Sequence, residues 1–235
     1  MRDEVPSARK RLTTPRAAAV AGIAFAVLFA ASMVLIGLSM PAESGEPGAW
    51  VEQGGSRVSL ALSLMPFSGI AFLWFVGVVR DRLGAFEDQL FSTVFFGSGL
   101  LFLAMTFAAA AVAGGIIAGY TLGVGESVRS DVYLFGRTVM TQIFGVYALR
   151  MAGVFMLSLG TIWLRTGVMP RWLSAVTYLV ALALLLSFSR SVWMVLLFPG
   201  WVFVISVYIL VQNLRRRTPA TTDGMTAGSP LQGQT

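Results

Sequence analysis

Hydrophobic residues do not alternate with polar ones along this chain. They come in six long runs, at residues 17–40, 58–79, 90–118, 138–164, 172–188 and 192–211. About 20 helical residues cross the roughly 30 Å hydrocarbon core of a bilayer. Each run is near or above that length, whereas barrel strands would be shorter and would alternate. The pattern predicts an all-α, polytopic membrane protein: one bundle of six transmembrane helices within residues 17–211. The first run is too long for the apolar segment of a signal peptide and has no clear small-x-small cleavage site, so it reads as a retained anchor. The last two runs with Ser189-Arg190-Ser191 between them would make a helix of about 60 Å, twice a bilayer core, so the chain must turn at that polar triplet.

Polar positions define the rest. Residues 1–16 are basic and contain two prolines, and 212–235 are rich in Thr, Gly, Ser, Gln and Pro. Neither has periodic apolar positions, so both are expected to be disordered. Residues 41–57 carry Glu43, Glu46 and Glu52 among glycines and prolines, and read as a mobile acidic loop over one mouth of the bundle.

Composition strengthens this picture. Of 235 residues, 56% are hydrophobic and 12% charged, and mean hydropathy is +0.77. A soluble domain is about a quarter charged, so water is not the main solvent here. The net charge of +6 does not imply nucleic acid. Twelve Lys/Arg side chains fall on one side of the threading: Arg2, Arg9, Lys10, Arg11, Arg16, Arg80, Arg82, Arg165, Arg171 and Arg215 to Arg217. Only Arg57, Arg129, Arg137 and Arg190 fall on the other. The positive-inside bias then predicts cytoplasmic termini. Basic clusters at that face imply anionic lipid headgroups as partners. The lysine-poor, Ala/Gly/Val/Arg-rich composition is that of a high-GC bacterium, so a bacterial plasma membrane is the expected location.

The chemistry available is limited. The sequence has no histidine and no cysteine. A thiolate or imidazole metal site, a Cys nucleophile, a Ser-His relay and a His-ligated haem are therefore excluded, and no cofactor is expected. The one lysine, Lys10, lies outside every apolar run. Glu87-Asp88 ahead of the third run reads as helix capping.

Arg150 is the one ionisable residue deep within a run. It lies fifteen residues before Arg165, about 22 Å along a helix, in the outer third of the core. Charges at such depth usually turn inward to a partner or to water; snorkelling to headgroups is the alternative. No carboxylate lies deep in any span, so neutral acceptors are expected. Pro66 and Pro199 each release a carbonyl four residues earlier, at Leu62 and Val195, near the depth of Arg150. Arg150, Pro66 and Pro199 thus form a candidate intramembrane polar site.

The third run is rich in small residues: Gly97, Gly99, Ala104, Ala108, Ala111, then Gly115, Gly119 and Gly123 at four-residue spacing. Such spacing allows close helix approach, in the bundle or at a homo- or hetero-oligomer seam. Gly153 and Gly160 could face it. Trp74, Trp163, Trp172 and Trp201 read as interface anchors and lipid-facing bulk.

These features favour a non-catalytic membrane subunit, structural, regulatory or concerned with assembly. A small transporter or channel with an outward-facing anion site near Arg150 is the alternative, although ion-coupled transporters usually bury a carboxylate. An enzyme acting on lipid is disfavoured, since no acid–base set is visible.

Overall fold

The computed structural model describes residues 15–39, 49–83, 89–121, 126–167, 169–186 and 192–215. Among them every regular element is helical: α1 (Pro15–Ser39), α2 (Ala49–Leu83), α3 (Gln89–Thr121), α4 (Glu126–Gln142), a π segment (Ile143–Ala148), α5 (Leu149–Thr166), α6 (Arg171–Leu186) and α7 (Val192–Arg215). Five spans are long and apolar enough to cross a membrane, with α6 a shorter sixth. One of the five, Asp131–Thr166, runs through α4, the π segment and α5. The expected all-helical bundle is the observed fold. Ser189 to Ser191, Glu87-Asp88, Gly123 and most of both termini lie outside the described residues.

Two helices begin earlier than hydropathy predicts. α2 starts at Ala49, so residues 49–57 are helix and not loop. Gly54 lies so close to Ser39 that an added Cβ would meet the serine Cβ at 3.0 Å. That approach joins the end of α1 to the start of α2 and offsets the poor helix propensity of Gly54-Gly55. α4 starts at Glu126, twelve residues before the fourth apolar run. Its polar face lowers the hydropathy average, while Tyr133 and Gly136 bury against α3. α7 likewise stays helical to Arg215, slightly beyond the expected end.

α1 packs on α2 and α7, α3 on α2, α4 and α5, and α6 on α5. A small cluster of Val58, Ile116 and Tyr133, with Ile36, Leu62 and Tyr120 around it, gathers the end of α1, the start of α2, the end of α3 and α4. At the opposite end, Arg80 lies over the Phe96 ring and Arg165 over the Phe91 ring, each 4.7 Å from the centroid. Arg171 and Arg215 are exposed at this same basic end.

The centre is aromatic. Phe25, Phe29, Phe72, Phe75, Phe95, Phe102, Phe155 and Phe198 are fully buried. Their rings interlock, with centroids 4.7 Å apart for Phe25–Phe72, 4.6 Å for Phe95–Phe155 and 4.7 Å for Phe102–Phe198. Five helices meet there. Ring pairs of this kind add about 0.5–1.5 kcal/mol each beyond the area they bury.

Candidate functional site

Arg150 is the second residue of α5, just beyond the π segment. A π turn moves the backbone acceptor from four residues back to five. Accordingly the Leu149 N–H donates to Phe144 O. Carbonyls in this stretch are out of step with the α-helical ladder, and Arg150 Nη1 donates to one of them, Val146 O, at 3.0 Å. The π segment also keeps two packing faces aligned. Tyr133, Gly136, Met140, Phe144, Ala148, Ala152, Phe155 and Leu159 form one buried or half-buried stripe. Four successive four-residue steps, from Gly136 to Ala152, would turn that stripe about 160° around a regular α-helix, and one inserted residue takes back about 100°.

The polar site expected from sequence is not assembled by hydrogen bonds. Arg150 is half-buried and lies on the face of α5 shared with Leu157 and Leu164, opposite the fully buried Ala152, Phe155 and Leu159. Its hydrogen bond stays within its own helix. Among the described residues none joins it to Leu62 or Val195. Pro66 is exposed and Pro199 buried, each inside a continuous helix.

Within one bundle, Gly115 and Gly119 are not the packing seam of α3. α3 does pack centrally, but through Phe95, Phe102, Leu103, Ala109, Ala113 and Ile116. Gly115 is exposed, and a Cβ added at Gly115 or Gly119 would meet nothing within 4 Å. Close approach is made elsewhere. A Cβ at Gly22 would run into Ser206 and Phe75, and one at Gly69 into Phe107. Gly153 and Gly160 turn to α6 and not to α3: their added Cβ atoms would meet Leu185 Cγ at 2.8 Å and Thr177 Cγ2 at 3.3 Å.

Two tryptophans require a further correction. Trp74 and Trp172 are exposed, as lipid-facing anchors should be, but Trp163 and Trp201 are buried. Trp201 Nε1 donates to Thr177 Oγ1 at 2.9 Å, and Thr177 Oγ1 in turn donates to Leu173 O. A buried indole N–H needs such a partner. At the next residue of α6, the Tyr178 and Thr161 hydroxyls are 2.7 Å apart. Of the other buried hydroxyls among the described residues, Ser32, Ser98, Thr106 and Ser158 donate to a carbonyl four residues back, whereas Ser39, Ser68, Ser174 and Ser206 have no hydrogen-bond partner. The back-bond satisfies the first four within one helix. Sequence reasoning missed the Trp–Thr and Tyr–Thr bonds; polar residues recurring at Ser174, Thr177 and Tyr178 in a short apolar helix were the available signal.

Helices of this length and apolarity, arranged in one bundle, define a multi-pass membrane protein. No protein-family model, curated protein or solved structure matches the chain, so the functional reading rests on its own residues.

Proposed function

We propose that this chain is a non-catalytic subunit of the bacterial plasma membrane with both termini in the cytoplasm, acting in structure, assembly or regulation. The observation that supports this reading most is the filled centre. Rings from α1, α2, α3, α5 and α7 occupy the axis, where a transporter or channel would place polar groups and water. With the axis occupied, the working surfaces are the outer walls and the two ends. Arg80, Arg165, Arg171 and Arg215 at one end suit anionic headgroups, and nucleic acid is not needed to explain the charge. The open wall of α3 around Gly115 and Gly119 suits a homo- or hetero-oligomer.

Reconstitution into vesicles tests this. The expected anion and cation permeability equals that of empty vesicles, and a mild-detergent extract of native membranes runs larger than a micelle-bound protomer. Flux above the empty-vesicle level would favour the small transporter or channel, with Arg150 as its anion contact. Sidedness has its own check. Glu46→Cys should react with an impermeant thiol reagent on intact cells and Thr221→Cys should not; the reverse pattern inverts the threading.

A further inference from the structure

Arg150 places a cation where hydrocarbon ends. Helical side chains lean toward the N-terminus of their helix, and the bond to Val146 O shows Arg150 doing so. Val146 precedes Arg165 by nineteen residues, about 28 Å along the helix. Arg165, stacked on Phe91, marks the basic end. A core of about 30 Å measured from there ends near the guanidinium, although the Arg150 backbone is still within it. Tyr147, 56% exposed in the π segment, lies at the same level.

A guanidinium carries five N–H donors. One is bonded to Val146 O, and among the described residues no carboxylate lies within ion-pair distance of Arg150. A cation at this depth is stabilised by an anion or by water. The planar fork fits two phosphate oxygens at once, and a charge-assisted pair of this kind is stronger than a neutral hydrogen bond. Bonding to Val146 O holds the half-buried side chain toward the N-terminal end of its helix before any ligand arrives.

We propose that Arg150, held by the π turn and flanked by Tyr147, binds a phosphate group at the end of the bundle opposite the basic arginines. A membrane phospholipid or a soluble anion could present that group. The proposal does not depend on the subunit reading, since a vesicle without flux leaves it intact.

Lipid retention by the full chain in detergent tests it, with phosphatidylglycerol and inorganic phosphate as separate probes. The parent should retain one more phosphatidylglycerol molecule than Arg150→Gln, whose affinity at that site should fall about tenfold or more. Arg150→Lys keeps the charge but not the fork, so retention should fall several-fold while the unfolding temperature stays at the parent value. Should Arg150→Gln fail to fold, the lysine variant carries the test. If inorganic phosphate displaces the lipid and raises the unfolding temperature only when Arg150 is present, the ligand is a soluble anion. If both variants retain lipid as the parent does and phosphate has no Arg150-dependent effect, the proposal is overturned.

Discussion

The bundle centre and the α6 flank are held by different physics. At the centre, interlocked phenylalanines join α1, α2, α3, α5 and α7. α6 has no ring in that cluster. It is held by two glycines that let α5 come close, by the Thr161–Tyr178 bond and by the Trp201–Thr177 bond. Lipid tails are as apolar as leucine, so burial alone cannot choose between protein and lipid as a neighbour. A helix needs either dense ring contact or close backbone approach with polar bonds. This chain uses the first for the middle and the second for the short helix.

Cutting into the centre should have the largest effect. Phe72 touches Phe25, Phe75, Phe102, Phe155 and Phe198. Phe72→Ala should cost about 3–5 kcal/mol, through lost contacts and the cavity left behind. Unfolding in detergent with a graded denaturant measures this. A loss below about 1 kcal/mol would mean that the rings are not the main tie.

The close approach on the flank comes next. Gly153→Ala puts a methyl group 2.8 Å from Leu185 Cγ and 3.1 Å from Ala181 O. The leucine can shift but the backbone oxygen cannot, so overpacking of about 1–3 kcal/mol is expected. The same unfolding experiment reads it, and loosening should show first as faster proteolysis between α5 and α6. Trp201→Phe then removes the polar tie while keeping most of the bulk. It strands the Thr177 hydroxyl only partly, because that oxygen still donates to Leu173 O. A loss of about 0.5–1.5 kcal/mol follows.

Much of the architecture was legible because hydropathy reports removal from water. The six apolar runs fall on the five long spans and the shorter α6, and polar-faced stretches such as residues 49–57 and 126–137 escaped. Neighbour choice was not legible. Gly153 and Gly160 offered the same small-residue signal whether they met α3 or α6, and Trp163 and Trp201 carry the same apolar bulk whether they face lipid or core. The candidate site was legible as one residue, Arg150. Its setting depends on the π segment, whose Ile-Phe-Gly-Val-Tyr-Ala sequence has no pattern distinct from an ordinary helix. The inserted residue is set by tertiary alignment of Gly136 with Ala152 against α3, and such alignment leaves no local mark.

The smallest effect within one chain is expected where the two modes of packing are both absent. Gly115 on α3 is exposed and an added methyl meets nothing within 4 Å. Gly115→Ala should therefore leave the isolated bundle unchanged or about half a kcal/mol more stable, because alanine is the better helix former. The outcome changes if a second subunit lies on this wall. The methyl group would then hold two helix backbones apart, and Gly119→Leu would do so more strongly. Unfolding of the dilute protomer and particle size in mild detergent separate the cases. An unchanged unfolding curve with a smaller particle assigns the wall to a partner. An unchanged curve and an unchanged particle assign it to lipid, and would leave Gly153 and Gly160 as the glycines whose spacing matters.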